Sequence, residues 1–311
     1  MSDSQPVTRR ISVGIVSDAD PRRAAQLELL DIDSLWVGGH VASTNPSPEA
    51  MISLARMSAV TERVRLGTSV LLLPLYPPAI IAKQIADLDR ASGGRITLGV
   101  GVGGEYPHEF RACQVPMNER GRRLDEAIPL LRKLWTGEEI SHDGAFYAMQ
   151  DVKVHPAPEQ PKGPPIIVAG RKEPAMRRAA LLGDGWMPYL YSPNRYAASV
   201  ATINALAAEH GRDLSGFEYF AFVFLNIDDD GERAREQAAL TMGGNYRQDF
   251  RDMVDNVAAA GTVSEVTTKL RAFVGAGASH LVFVPAVGTG DPQRVIRRLL
   301  DEVVPELRGG A

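Results

Sequence analysis

Apolar strand-like runs alternate with helix-patterned segments from one end of the chain to the other, and this alternation restricts the fold more than any single motif does. The strand-like runs are Ile11–Val16, Ser34–Val37, Val64–Leu72, Arg95–Val100, Ile166–Ala169, Gly185–Met187, Glu218–Ile227 and His280–Val284. Helical patterning falls between and after them, at Arg22–Leu30, about Pro48–Val60, Ala79–Ala91, Arg120–Trp135, Pro174–Leu182, Arg195–His210, Ser264–Val274 and Gln293–Val303. The strands are apolar throughout rather than at every second residue, which implies burial on both faces and parallel pairing. Eight strands, each followed by helix, predict an α/β fold of the (β/α)8 TIM barrel type; a doubly wound open sheet is the competing architecture.

Local signals sharpen the boundaries. Pro21 introduces the first helix, while Ser47 and Pro48 are the expected N-cap and first position of the second. Gly93-Gly94 and Gly137 end the helices that precede them. The rhythm breaks twice. Residues 138–165, rich in proline, glycine and aromatics, predict an excursion with short strands around Phe146-Tyr147 and Val152–Val154. Residues 228–261 predict a polar, helical insertion. The expectation is one domain over residues 1–311 with these two insertions.

Composition excludes several function classes. A net charge of −4 argues against a general nucleic-acid binder, which needs a basic stripe to displace counterions. The lone cysteine, Cys113, excludes an internal disulfide framework and a cysteine-rich zinc site, and fits a reducing cytoplasm. No apolar segment follows the two arginines of the N-terminal MSDSQPVTRR, so no secretory signal is read there. The apolar stretch Val70–Ala82 holds three prolines and is too short to span a bilayer. A cytoplasmic protein without membrane or nucleic-acid partners is expected. The six histidines show no metal-ligand spacing, so no metal is expected, and neither a G-x-S-x-G elbow nor a P-loop occurs.

In a barrel, function sits at the C-terminal edge of the strands. After the second strand come Gly38, Gly39 and His40. The imidazole titrates near neutral pH and can move a proton, or it can simply hydrogen-bond a loop carbonyl. After the third come Thr68, Ser69 and Val70; the hydroxyls of the first two can meet a ligand or their own backbone. After the fourth, Gly99, Gly101 and Gly104 match G-x-G-x-x-G. A dinucleotide fingerprint belongs in the first βαβ unit and opens a helix directly, whereas this one follows the fourth strand and meets Pro107. What survives is a close backbone approach at Val102, Gly103 and Gly104. Glu105 and His108, just beyond, are acid/base candidates or solvated loop residues. After the fifth strand, Ala169-Gly170-Arg171-Lys172 runs into a helix; a glycine turn, a helix N-terminus and two cations suit an anion.

Taken together, these segments resemble the bacterial luciferase-like family of flavin- and deazaflavin-dependent oxidoreductases. The resemblance is carried by Asp33-Ser34-Leu35-Trp36-Val37-Gly38-Gly39-His40, Arg63-Val64-Arg65-Leu66-Gly67-Thr68-Ser69-Val70 and Gly93-Gly94-Arg95-Ile96-Thr97-Leu98-Gly99-Val100-Gly101. Arg120-Gly121-Arg122-Arg123-Leu124-Asp125-Glu126, Ile167-Val168-Ala169-Gly170 and Gly183-Asp184-Gly185-Trp186 complete it. It spans roughly residues 11–305 and implies the family's barrel with insertions. It further implies a cofactor ring at the strand ends, beside Gly39 and His40, and a non-prolyl cis peptide at Ser69–Val70. The cofactor phosphate is implied near Val102-Gly103 and Ala169-Gly170-Arg171, and Gly104 and His108 are further expected cofactor-binding residues.

A histidine at position 40 is common in the branch that uses the deazaflavin coenzyme F420. The resemblance therefore implies F420-dependent hydride transfer to or from a small organic substrate, with FMN-dependent oxygenation as the alternative and a non-catalytic cofactor binder as a further one. His40 and Glu105 are the implied catalytic pair. Sugar-phosphate dehydrogenases of this branch often carry aspartate where Gly39 stands, and an acid one position away from Glu105, so the substrate class stays open. Tyr76, Trp186, Tyr189 and Tyr191 are expected to form an aromatic substrate pocket for a flat or hydrophobic molecule. A homodimer is implied by the family.

Overall fold

The computed structural model describes residues 10–43 and 46–309; the N-terminal reading at residues 1–9 lies outside them. Contacts divide the chain into two compact units. The larger comprises Gly14–Tyr189 and Ala201–Glu218, and the smaller comprises Leu190–Val200 and Tyr219–Ala311 with the N-terminal stretch up to Val13.

In the larger unit, β1 (Ser12–Val16, from Gly14 on), β2 (Ser34–Gly39), β3 (Arg65–Leu71), β4 (Ile96–Val100), β7 (Ile166–Ala169) and β8 (Gly185–Met187) lie side by side in that order, every neighbouring pair parallel. The antiparallel hairpin of β5 (Glu139–Asp143) and β6 (Ala148–Lys153) forms a separate small sheet. All five β4 residues are buried, as two-sided covering by helices requires. Trp36 of β2 is fully buried and donates its indole N–H to Ser34 Oγ at 2.8 Å. The strands beside it give it room: a Cβ at Gly67 would lie 2.4 Å from the Trp36 ring, and one at Gly14 would lie 2.7 Å from its Nε1.

The helices start where local chemistry allows. In α1 (Pro21–Glu28), Pro21 takes the first turn and the Asp20 carboxylate accepts from the Arg22 N–H at 2.9 Å. In α2 (Ala50–Ser58) the cap is Glu49, which accepts from the Ile52 N–H at 2.7 Å, so the helix begins later than the Ser47-Pro48 signal predicts. Next come α3 (Pro78–Ala91), the short α4 (Pro107–Ala112), and α5 (Arg120–Leu134), which buries the stripe Leu124, Ala127, Ile128, Leu131 and Leu134. After these, α6 (Glu173–Leu182) follows β7, and α7 (Pro193–Glu209), which belongs to this unit from Ala201 on, follows β8.

Within residues 138–165, β6 includes Val152 and Lys153, where a strand is expected, but Phe146-Tyr147 is not in a strand. Phe146 and Tyr147 lie in the turn between β5 and β6, where the Glu126 carboxylate accepts from the Phe146 N–H at 3.1 Å and the Tyr147 N–H at 2.9 Å. Those amides are committed to α5 and cannot join a ladder.

In the smaller unit, β9 (Glu218–Ile227, from Tyr219 on) pairs in parallel with β10 (Ala258–Gly261) on one side and β11 (His280–Pro285) on the other. The unit's helices are α8 (Gly231–Tyr246), α9 (Val254–Val257), α10 (Val263–Gly275), α11 (Pro292–Arg298) and α12 (Val304–Arg308). A capping box starts α10: Thr262 Oγ1 accepts from the Glu265 N–H, and the Glu265 carboxylate accepts from the Thr262 N–H at 2.7 Å. The region predicted to be a helical insertion thus contains α8, α9 and a short alanine strand. No described helix is long and apolar enough to cross a membrane.

Candidate active site

Because the strands of the larger unit are parallel, the residues after β2, β3, β4, β7 and β8 gather on one edge. The pairing register shifts between Val37 and Gly39 on β2 and between Gly67 and Leu71 on β3, so β3 bulges at residues 68–70. A non-prolyl cis peptide joins Ser69 and Val70, where the family resemblance puts it. Thr68 Oγ1 donates to the Gly99 carbonyl at 2.6 Å, and a Cβ on Gly99 would lie 1.9 Å from the Thr68 carbonyl oxygen. Position 99 therefore admits only glycine. Among the described residues, Ser69 Oγ is buried without a hydrogen-bond partner, an orphaned donor at this edge.

His40, at the end of β2, is one-third exposed and donates from Nδ1 to Glu109 Oε1 at 2.9 Å. Glu109 lies on α4 and is 1% exposed; the same oxygen accepts from the Ala42 N–H at 3.3 Å. The pair is fenced by Tyr106, whose ring meets the imidazole edge-on with centroids 5.0 Å apart. His108 bonds through Nε2 to the Ala42 carbonyl, fastening the His40 loop to α4. With Nδ1 committed to a carboxylate, Nε2 is the ring nitrogen left for a substrate proton. Glu109 was not among the residues singled out from the sequence. Nothing local separates it from Glu105 or His108; only the folding of α4 against the His40 loop does.

Glu105 points elsewhere. Its carboxylate accepts from the Tyr189 hydroxyl at 2.8 Å, and the Arg171 guanidinium lies 4.5 Å above the Tyr189 ring. Burial, then the charge of Glu105 and its hydrogen bond, push the Tyr189 phenol up to about 12. Gly103 and Gly104 adopt φ of +61° and +129°, backbone conformations that favour glycine. Next to Gly104 lies Arg120, whose Nε is buried without a partner and whose guanidinium also donates to the Met117 carbonyl at 2.6 Å. Arg120 is a second residue missed in the sequence, although Arg120-Gly121-Arg122-Arg123 had marked the segment. Gly170, with φ of +139°, is held by the Trp186 indole N–H, which donates to its carbonyl at 3.0 Å.

The four aromatics expected to line a substrate pocket have separate surroundings. Trp186 is fully buried against Gly170. Tyr189 is engaged with Glu105 and Arg171. Tyr76 packs on the apolar cluster of Leu72, Leu75 and Phe110, with Val70, Cys113, Val115 and Met117 around it. Its phenol is pushed up to about 12 by burial first, then by Glu49, Cys113 and Glu109. Tyr191 belongs to the smaller unit, where it is buried under Arg195 at 4.3 Å and its hydroxyl meets Ser199 Oγ at 3.3 Å. No group of three or more His, Cys, Asp or Glu residues suited to a metal occurs among the described residues.

The sequence profile of the luciferase-like monooxygenases matches residues 16–303. The chain belongs to the luciferase-like monooxygenase family. Among its relatives, an F420-dependent glucose-6-phosphate dehydrogenase of Kineococcus radiotolerans is 31% identical over 316 residues, covering 92% of this chain and 91% of the relative. An uncharacterized Mycobacterium tuberculosis protein is 37% identical over 196 residues; the match spans 63% of this luciferase-like chain and 66%, just under two thirds, of that protein. Of solved structures, an F420-dependent secondary alcohol dehydrogenase in complex with an F420–acetone adduct superposes with a TM-score of 0.84 at 20% identity, covering 96% of this chain and 99% of the other. A type II Baeyer–Villiger monooxygenase of Pseudomonas putida, in complex with FMN, gives 0.76 at 19% identity over 95% and 98%. These likenesses give the fold of the luciferase-like chain, an α/β fold with an eight-stranded parallel β-barrel. Luciferase-like oxidoreductases include members named for F420 and members solved with FMN.

Proposed function

We propose that this luciferase-like chain is an F420-dependent oxidoreductase that transfers a hydride between the deazaflavin and a small organic substrate. The observation that carries the reading is the His40–Glu109 pair at the end of β2, beside the β3 bulge. The edge suits a flat, phosphate-bearing cofactor. The buried Ser69 hydroxyl has no partner, Gly103 and Gly104 keep the backbone open, and Arg120 and Arg171 supply cations beside the loops. Ser69, Val70, Gly39 and His40 would face the ring, and Val102, Gly103, Gly104, Ala169, Gly170 and Arg171 would hold the phosphate end. Homology to F420-dependent dehydrogenases favours the deazaflavin over FMN.

The bound deazaflavin supplies or accepts the hydride at its ring. The protein moves the proton. When an alcohol is oxidised, His40 Nε2 takes the hydroxyl proton, while Glu109 fixes the ring orientation and balances the imidazolium. In the reductive direction the same nitrogen returns the proton to the carbonyl oxygen. Val70 and Tyr76 pack on the same apolar cluster, so the ring side at Val70 would be apolar and would favour an uncharged, largely hydrophobic substrate.

The test is a side-by-side titration of the purified protein with F420 and FMN, read by fluorescence, followed by a turnover screen on alcohols, aldehydes and ketones. F420 should bind in the micromolar range or tighter and FMN weakly, and His40→Ala should bind F420 normally while losing about 10²–10⁴-fold in turnover. Preference for FMN would move the chain to oxygen-using chemistry. An active His40→Ala variant would remove the histidine from the mechanism.

A further inference from the structure

We infer that Tyr189 and Glu105 form a seat that positions Arg171 for the phosphate of the bound cofactor, so that neither residue serves the substrate. The inference deepens the cofactor reading above and rests on it.

Three loops that are distant in sequence meet at this point. Glu105 follows β4, Arg171 follows β7 and Tyr189 follows β8, and these three strands are consecutive neighbours in the sheet. Tyr189 connects them: its hydroxyl donates to Glu105 Oε1 at 2.8 Å, and its ring carries the Arg171 guanidinium at 4.5 Å. The backbone under Arg171 is fixed separately, because the buried Trp186 indole holds the Gly170 carbonyl at 3.0 Å. A Cβ on Gly170 would come within 2.5 Å of the Ala175 Cβ, so the turn leading into Arg171 has little freedom.

A long cationic side chain loses much rotamer freedom when it is held in place, and a flat aromatic support reduces that loss at the moment of binding. Glu105 sets the ring plane through the hydroxyl. It does not face His40, whose acid partner is Glu109. After the neighbouring strand β4 comes the Gly103-Gly104 turn, with Arg120 beside Gly104. An oxyanion between those loops would meet a cation on each side and open backbone between them. Tyr189 and Glu105 are thus positioning residues for phosphate recognition, and they make the protein selective for the phosphorylated cofactor over its bare chromophore.

The experiment compares the parent, Tyr189→Leu, Tyr189→Phe and Arg171→Met in fluorescence titrations with F420 and with its chromophore lacking the phosphate and tail. The parent should bind F420 tightly and the chromophore much less tightly. Tyr189→Leu should weaken F420 about tenfold, equivalent to about 1.4 kcal/mol, and leave the chromophore within about twofold. Tyr189→Phe keeps the ring and loses the hydroxyl's bonds to Glu105 and Arg171, so it should weaken F420 about threefold. It also preserves the packing if the leucine variant proves unstable. Arg171→Met should erase most of the preference between the two ligands. Equal weakening of both ligands by the Tyr189 variants, or no weakening of either, overturns the inference. A parent that binds both ligands equally overturns it alone, whereas a parent that binds neither overturns the cofactor reading and this inference with it.

Discussion

Glu109→Ala would remove a carboxylate that is 1% exposed and accepts from both His40 Nδ1, at 2.9 Å, and the Ala42 N–H, at 3.3 Å. A hydrogen bond to a charged group contributes about 1.5–3 kcal/mol, and a long backbone bond about 0.5–1 kcal/mol. The alanine variant also strands a half-buried backbone donor, the Ala42 N–H. Its stability should fall by about 2–4 kcal/mol in urea denaturation, a measurement that needs neither substrate nor cofactor. Glu109→Gln keeps the Oε1 acceptor and nearly the same volume, so most of that loss should be recovered, leaving about 1 kcal/mol or less. Turnover should behave differently. An amide oxygen still orients the imidazole but cannot balance the imidazolium that forms when Nε2 takes a proton. The glutamine variant should therefore lose about ten- to a hundredfold in kcat, or about 1.4–2.7 kcal/mol, with little change in F420 affinity. A merely structural glutamate would show loss of stability in the alanine variant and full activity in the glutamine variant. That second result would refute the reasoning, as would an alanine variant as stable as the parent.

Two further predictions test the scaffold away from this edge. Glu28 at the end of α1 accepts from the backbone N–H groups of Glu62, Arg63 and Val64 at 2.7–3.1 Å. Burial pushes its carboxyl up, but these three bonds and the charge of Arg95 outweigh it and leave the carboxyl below its ordinary value of 4.5. A depressed folded value means that this stabilisation is present above about 4.5 and disappears as the pH falls through the lower folded value. Glu28→Gln should then cost about 1 kcal/mol at pH 7, and the gap to the parent should close in denaturation curves run towards pH 3. A gap that is constant with pH would contradict the linkage. Gly67→Ala places a methyl group 2.4 Å from the Trp36 ring, and should destabilise by about 3 kcal/mol or prevent folding. Gly67→Ala combined with Trp36→Leu should be less damaged than the sum of the single changes, and strict additivity would show that the two positions do not compete for space.

The barrel strands were legible in the sequence because burial on both faces selects continuous apolar runs, and Gly185–Met187 and Glu218–Ile227 have the predicted bounds. Elements settled by distant partners were not. Ala258–Gly261 has the composition of a helix or loop and becomes a strand only by pairing with β9. Phe146 and Tyr147 have strand propensity, yet a carboxylate on α5 takes their amides. Ser47 and Pro48 form a sound local start signal that the Glu49 side chain supersedes. At the site the contrast is sharper. Glycines required by close approach were visible, whereas the sequence pointed to Glu105 and His108 and gave no reason to prefer their neighbour Glu109. Three-dimensional contacts give each a different partner: Tyr189, the Ala42 carbonyl and His40.

Gly39 shows why the acid comes from α4. A Cβ at position 39 would lie 2.8 Å from the Val70 carbonyl oxygen and 3.0 Å from the Leu71 Cα, so the bulge of β3 occupies the space a side chain there would need. An aspartate beside His40 on β2 would have to displace that bulge, and with it Ser69 and Val70 on the ring side of the proposed site. The carboxylate that serves His40 is instead delivered across the sheet edge from a helix six residues long, whose start at Pro107 is set by the glycine-rich turn before it. The loop after β4 then has two jobs. Its first part, at Gly103 and Gly104, takes the positive φ values that keep the backbone open where the proposed cofactor's phosphate would lie, and its continuation brings Glu109 to the imidazole. An insertion or deletion between Gly104 and Pro107 would change both at once, coupling cofactor grip to proton transfer through a single turn.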